Sequence, residues 1–269
     1  MNEILNLKHS AKNILQKRSR VFKVLVESSS NIKSGKIEAI STGDLQLLYQ
    51  LYDQVFLNNW FNTNYRGKLK FALSRRMTRS AGLTKFPKDK GRVKPENLTI
   101  EIRIGVDFLF QYDMAEGDKT VGGITTSNSL EALLLVFEHE LCHAIEYICF
   151  GTTNCSGDRF KSLVGRLFGH TGKFHNLPTN RQIASQKLDL KPGDRVSFSF
   201  KDNKLQGILY RINKRATVMV RDKQGQFADK QGNRYAKYYV PLDMLEKDML
   251  EKDMLEKDML EKDMLEKLP

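Results

Sequence analysis

The chain has 269 residues, 40% of them hydrophobic, which is enough for one or two domains with a substantial core. No apolar run approaches the roughly 20 residues of a membrane-spanning helix, and the first residues lack the apolar core of a signal peptide. The three cysteines, an odd number, argue against a disulfide framework and fit a reducing compartment. We therefore expect no membrane association and an intracellular location, in the cytoplasm or at the nucleoid or nucleus.

Charge is distributed unevenly along the chain. The net charge is +12, although residues 243–267 carry five Asp, five Glu and five Lys and are acidic. A basic body of this kind predicts a polyanionic partner, DNA or RNA. The alternative is charge that only keeps the protein in solution.

The first half of the chain alternates helical and extended patterns. Residues 1–40 mix basic and apolar positions and predict a basic helical segment, which either contacts a phosphate backbone or packs on the main domain. A clearer helix follows the capping sequence at Ser41. Residues 68–74 and 98–104 then alternate like half-buried strands. The basic connection between them is interpreted as a solvated hairpin or as a loop that meets nucleic acid.

The next helix carries an H-E-x-x-H motif, which lies at the end of the apolar run 133–137. On a helix, His139 and His143 lie one turn apart on the same face, so both imidazoles can reach one metal ion. Glu140 then lies beside that metal, where a carboxylate can accept a proton from a zinc-activated water. This spacing predicts a Zn²⁺ site that hydrolyses peptide bonds. The alternative is a chance occurrence of these residues on a helix.

The flanks of the motif predict the ends of two helices. Ser127 or Ser129 is expected to cap the motif helix, which should end at 148–150 before Gly151. A second helix is expected to begin near Asp158, with apolar residues at core spacing, and to end at Gly169.

The order of these elements resembles the SprT-like metalloprotease domain, the group that includes Spartan. The likeness rests on a helix, two strands, Ala81-Gly82 after the first strand, the H-E-x-x-H helix and Gly-x-x-Phe opening another helix, and it covers residues 41–180. It implies a zincin-like α+β protease with His139 and His143 as zinc ligands and Glu140 as the catalytic residue. It also implies nucleic-acid association, because Spartan-type members cleave proteins crosslinked to DNA.

One position departs from this family. The third zinc ligand in the family is a His directly before the Gly of His-Gly-x-x-Phe, and this chain has Ser156 there. Serine is a poor zinc ligand, whereas the neighbouring Cys155 offers a thiolate. Cys155 is therefore the favoured third ligand, and His170 and His175 are the other candidates. Cys142 lies inside the motif and is interpreted as a core residue.

The pattern changes after Pro178. Residues 187–242 contain several short alternating segments separated by turns, which predicts a small all-β barrel. Its Gly193-Asp194-Arg195-Val196 opening resembles KOW or Tudor barrels, which implies a module that binds DNA or RNA. The alternative is an appendage that only packs on the protease.

Residues 243–269 contain five copies of Asp-Met-Leu-Glu-Lys. A five-residue step turns a helix by about 140°, so Met and Leu spread around all sides and no coiled-coil stripe forms. Asp and Lys four residues apart predict a solvated helical tail instead.

Three functions follow from these patterns. The leading one is a SprT-like zinc metalloendopeptidase that acts on proteins associated with nucleic acid. The rival is a nucleic-acid-binding protein whose protease site has decayed, and a weaker third possibility is a purely structural zinc site. The sequence does not predict the oligomeric state, the substrate, or the choice between DNA and RNA.

Overall fold

The computed structural model describes residues 2–87 and 94–248, together with the backbone of 266–267. Within these ranges the protein is a mixed α+β fold that divides into two compact units, residues 1–178 and 179–269. No helix in the described ranges is both long enough and apolar enough to cross a membrane.

The first unit combines helices with a small mixed sheet. Its described helices are α1 (Asn2–Asn6), α2 (Ala11–Ser28), α3 (Thr42–Val55), α4 (Trp60–Asn64), α5 (Asp107–Phe110), α6 (Ser129–Phe150) and α7 (Asp158–Phe168). Its described strands are β1 (Lys68–Ser74), β2 (Gly82–Lys85), β3 (Thr99–Gly105), β4 (Lys119–Val121) and β5 (Ile124–Thr126). The sheet order is β1-β3-β2, and β4 and β5 form a separate antiparallel pair.

The motif helix α6 lies in the core of this unit. Its apolar run is fully buried because it is apolar on all sides, and Phe137 packs against Tyr52 of α3 and Phe71 of β1. The N-cap is Asn128, whose side chain accepts a hydrogen bond from the Glu131 amide, so the predicted serine caps were wrong. The helix ends before Gly151 at φ 76°, as predicted, because glycine adopts this left-handed conformation without strain.

The sheet differs from the predicted hairpin. β1 and β3 are confirmed as strands, but they pair in parallel, and β2 pairs antiparallel with β3. The four-residue strand β2 lies inside the connection that the sequence presented as a basic loop. A strand this short has no stable pattern of its own and forms because β3 supplies its hydrogen-bond partners. Residues 88–93 of that loop lie outside the described ranges.

The basic N-terminal segment belongs to the first unit and is not a separate arm. Ile14, Val21 and Leu25 of α2 are buried in the same core as α6. Of its basic residues, Lys12, Arg20 and Lys23 are exposed, whereas Arg18 reaches into the core and binds the buried Glu138. The predicted alternative of a helix packed on the main domain therefore describes α2.

The second unit is an antiparallel sheet preceded by one helix. Its elements are α8 (Asn180–Leu188), β6 (Arg195–Phe200), β7 (Asn203–Ile212), β8 (Ala216–Arg221), β9 (Phe227–Ala228), β10 (Arg234–Val240), β11 (Glu246–Lys247) and β12 (Glu266–Lys267). The strand order is β11-β6-β7-β8-β10-β9-β12. The four long strands were predicted from their alternation, whereas α8 was not. Among the described residues no strand pair joins the two ends of this order into a closed ring.

The repetitive tail is not α-helical in its first copy. Met244 ends a short 3-10 turn, and Glu246–Lys247 form β11, which pairs with β6. Leu245 packs against the core of the second unit and Lys247 binds Asp189, and these tertiary contacts override the helical spacing of the charges. The predicted helix was wrong for this copy. Residues 249–265 and 268–269 lie outside the described ranges.

Candidate metal centre

The two histidines of the motif point at each other from consecutive turns of α6. Their Nε2 atoms lie 3.2 Å apart, close to the roughly 3.3 Å expected between two nitrogen ligands of one tetrahedral zinc. Burial lowers the pKa of His139 to about 3, with a further contribution from His143, and burial lowers the pKa of His143 to about 4. Both rings are therefore neutral at pH 7, which is the form that binds a metal.

Cys155 completes a cluster of three potential ligand atoms. Its sulfur and one ring nitrogen from each of His139 and His143 all lie within 4.8 Å of one another. Sulfur and nitrogen ligands of a tetrahedral zinc lie roughly 3.6 Å apart, so the sulfur would need to approach by no more than about 1.2 Å. Imidazole nitrogen and thiolate sulfur are both ordinary zinc ligands, and three protein ligands leave the fourth tetrahedral position open. The residues present therefore fit zinc.

The other candidates for the third ligand have different partners. Ser156 is exposed and its hydroxyl accepts a hydrogen bond of 2.9 Å from Lys173 Nζ. His170 is buried and its Nε2 lies 2.8 Å from Oε2 of Glu138, away from the cluster. His175 lines the same cleft as His139, but its Nε2 accepts a hydrogen bond of 3.1 Å from the backbone amide of Ala81. Only Cys155 joins the motif histidines in the part of the chain that the structure describes.

Glu140 is held by β2, the strand that the sequence did not predict. The Thr84 hydroxyl donates to Glu140 Oε2 at 2.6 Å. Burial raises the pKa of Glu140 to about 7, and the hydrogen bond from Thr84 opposes that rise. A Cβ atom on Gly82 would lie 2.4 Å from Glu140 Oε1, so only glycine leaves room for the carboxylate at this point of the strand.

A cleft of about 70 Å³ lies over this site. His139 and Glu140 line one side, while His175 and Gly82 line the others. Phe174 also lines it and is 76% exposed, so an aromatic side chain stands at its mouth. A substrate group entering the cleft would therefore meet the candidate ligand His139 and the candidate base Glu140.

Thr153 orients one of the ligands. Its hydroxyl lies 2.6 Å from His143 Nδ1, on the side of the ring opposite the cluster. When the hydroxyl accepts the proton of Nδ1–H, the ring nitrogen Nε2 is left free to bind a metal. No sequence pattern marks Thr153 or Thr84 for these roles, because each reaches the helix from a separate segment.

Loss of the Thr153 hydroxyl should weaken the candidate metal centre. We expect Thr153→Val to weaken zinc binding about 10- to 100-fold, since valine keeps the shape of threonine but cannot hold the imidazole tautomer. Competition with a chromophoric zinc chelator would measure the affinity. Thr63→Val, on the exposed end of α4, is the matched control and should leave the affinity unchanged. An equal affinity in Thr153→Val and wild type would contradict the assigned role.

A buried ion pair lies directly behind the cluster. Glu138 is fully buried and accepts two hydrogen bonds from Arg18, at 2.9 and 2.8 Å, and one from Tyr52 at 2.8 Å. Burial alone would raise the pKa of Glu138, but Arg18 and His170 outweigh it and hold that pKa below its usual value. The residue next to His139 is therefore an anchor between α6, α2 and α3.

Comparisons of the chain with protein-family models, with curated proteins and with solved structures gave no match. The resemblance to the SprT-like domain therefore rests on this chain's own residues. Its functional interpretation depends on the geometry of the cluster around His139, His143 and Cys155.

Proposed function

We propose that this protein is a zinc-dependent endopeptidase of the SprT-like type that acts on proteins associated with nucleic acid. The observation that carries the proposal is the convergence of His139, His143 and Cys155 beside the buried carboxylate of Glu140. Two of these ligands and the base come from one helix. The third comes from the loop that follows it, so a local motif and a distant residue meet at one point.

The proposed chemistry assigns one role to each side chain. Zinc held by His139, His143 and Cys155 would polarise the substrate carbonyl and activate a water for attack. Glu140 accepts the proton of the attacking water and delivers it to the departing amine. Thr84 keeps the Glu140 carboxylate in place, and Thr153 keeps the imidazole of His143 in the binding tautomer.

The edge of the sheet suggests how a polypeptide would bind. β2 is the last strand of its sheet, and Gly82 at its start lines the cleft. An extended peptide can add to such an edge through backbone hydrogen bonds, which select for chain geometry more than for side chains. This mode suits an endopeptidase with little sequence preference.

The second unit supplies the nucleic-acid part of the proposal. From Lys187 to Lys237 it carries thirteen Lys and Arg against five Asp. We propose a KOW- or Tudor-like barrel that tethers the protease to DNA or RNA. Cys142, Cys149 and Cys155 form no disulfide, which suits a protein of a reducing compartment.

A second candidate function has one observation in its favour. At the position where the SprT-like family has its third zinc ligand, this chain has Ser156. This serine is exposed and accepts a hydrogen bond from Lys173. A nucleic-acid-binding protein with a decayed protease site would explain this residue. It would bind zinc poorly and would hydrolyse no peptide bond.

Zinc content measured by elemental analysis tests the proposal, on wild type and Cys155→Ala in parallel. We expect about one zinc per chain in the wild type and its loss from Cys155→Ala, because two imidazoles alone hold zinc weakly. Cys149→Ala, a second partly buried cysteine, is the control and should keep its zinc.

Two other results of the zinc measurement would change the assignment of the site. Zinc retained by Cys155→Ala but lost from His175→Ala would transfer the third ligand to His175. A wild type without zinc, after loading and removal of excess metal, would contradict the protease and favour the decayed site.

A further inference from the structure

In the sheet of the second unit, basic residues lie on the long strands and acidic residues lie in the turns. Its four long strands, β6, β7, β8 and β10, carry six Lys and Arg and no Asp or Glu. The acidic residues of this region lie in turns, for example at Asp202 and Asp222. The strand surface is therefore more basic than the net charge of the unit suggests.

The register of the strands defines the solvent face. Val218 and Val240 lie in the core of the unit, and because side chains alternate along a strand, Thr217 of β8 and Lys237 and Tyr239 of β10 lie on the opposite face of the sheet. Tyr239 pairs with Thr217, and Thr217 pairs in turn with Arg211. Arg211, Tyr239 and, two residues before it, Lys237 are exposed. We call the surface formed by Arg211, Lys237 and Tyr239 the basic aromatic face.

An aromatic ring accompanies the charge on this face. Tyr239 is 63% exposed, so most of its ring faces solvent. Lys237 Nζ lies 4.0 Å from the centroid of the Phe227 ring and 6.0 Å from that of Tyr239. The ammonium group thus lies within cation–π distance of two aromatic rings. A flat apolar surface and a fixed positive charge are presented side by side.

A cleft of about 560 Å³ adjoins Lys237 and Phe227. This volume falls in the range of small-molecule sites, about 300–1,000 Å³. Its walls include Asp222, Gln224 and Gln226, whose side chains offer hydrogen-bond acceptors and, from the two amides, donors.

The cleft has a rigid frame. A Cβ atom on Gly225 would lie 2.2 Å from the backbone carbon of Tyr235, so the loop is pressed against β10. Asp229 accepts hydrogen bonds from Asn233 and from the Tyr235 hydroxyl, which fixes the turn between β9 and β10. The cleft is therefore formed before any ligand binds.

We propose that the basic aromatic face binds single-stranded nucleic acid. Tyr239 stacks on a base, Lys237 and Arg211 contact phosphates, and the adjoining cleft accepts a base that is turned out of the strand. A duplex suits this face less well, because its bases are already stacked on each other and cannot cover Tyr239. The proposal deepens the nucleic-acid part of the proposed function and does not depend on the metal centre.

Fluorescence anisotropy of the full chain with a labelled single-stranded 20-mer tests this proposal. We expect Tyr239→Ala to weaken binding about 5- to 150-fold, the range found for loss of one stacked base. Tyr239→Phe keeps the ring and should bind within about twofold of wild type. DNA and RNA strands of the same sequence identify the preferred sugar, and a contribution of the 2′-hydroxyl would appear as tighter binding of RNA.

Lys237→Gln provides an independent measurement. Loss of one phosphate contact should reduce the slope of log affinity against log salt by about 0.7 for a single strand. Lys23→Gln removes the same charge from an exposed position on α2 in the first unit, and it should leave the slope unchanged.

Either of two results would overturn the proposal. One is wild-type affinity in Tyr239→Ala, and the other is equal competition by a duplex of the same sequence. Zinc content measured on the same samples should stay at the wild-type value in all these variants. Failure of the nucleic-acid proposal can thus be distinguished from failure of the metal centre.

Discussion

Glu140→Gln is expected to lower the rate of peptide hydrolysis by about 10²- to 10⁴-fold, the usual contribution of a general base. The amide has the shape of the carboxylate and can still accept the hydrogen bond from Thr84, but it cannot take a proton from the attacking water. Because Glu140 is not among the three potential ligands, zinc content should stay at the wild-type value. Cleavage of an unfolded protein substrate and elemental analysis measure the two quantities.

Glu27→Gln is the control, because it makes the same chemical change on a helix other than the motif helix. Glu27 lies on α2, with a side chain that is 59% exposed and paired only loosely with Lys23. Glu27→Gln should hydrolyse the substrate at the wild-type rate. Equal rates in Glu140→Gln and wild type would contradict the assigned role, and zero hydrolysis in a zinc-loaded wild type would favour the decayed site.

Arg18→Met should destabilise the first unit by about 3–5 kcal/mol, because it leaves the carboxylate of Glu138 buried without its cation. The guanidinium donates two hydrogen bonds to Glu138, and its Nη2 also donates to the Phe168 carbonyl at 2.8 Å. Urea unfolding followed by circular dichroism measures the free energy of unfolding. Lys23→Gln on the same helix breaks an exposed pair and should change it by no more than about 1 kcal/mol.

A double variant identifies the cause of this loss. Arg18→Met combined with Glu138→Gln removes both charges and should be more stable than Arg18→Met alone, since no uncompensated charge stays buried. A double variant less stable than either single change would show that packing, rather than the buried charge, dominates. The expected coupling would mean that α2 supports the residue next to the candidate ligand His139.

The sequence predicted those features of the site that depend on local geometry. Spacing of four on an apolar helix brings His139 and His143 to one face wherever the helix lies, so the pair needed no tertiary information. The end of α6 at Gly151 and the end of α7 at Gly169 were equally local, because both glycines adopt the left-handed conformation that ends a helix.

Other features depended on partners that are distant in the sequence. Cys155 and His170 were both open candidates for the third ligand, and neither could be excluded from the sequence. The fold directs His170 to Glu138 in the core and brings Cys155 to the motif histidines. The strand β2 was missed because four residues carry too weak a pattern, and it exists through pairing with β3.

The sequence by itself determined the helical motif, the long strands and the excess of basic residues, because each depends on neighbouring residues or on composition. Only the tertiary structure decided which thiol or imidazole joins the motif, that Thr84 holds Glu140, and that α2 belongs to the core. It also decided that the first Asp-Met-Leu-Glu-Lys copy contributes a strand. These outcomes depend on contacts between segments far apart in the chain, where burial and hydrogen bonding outweigh local preference.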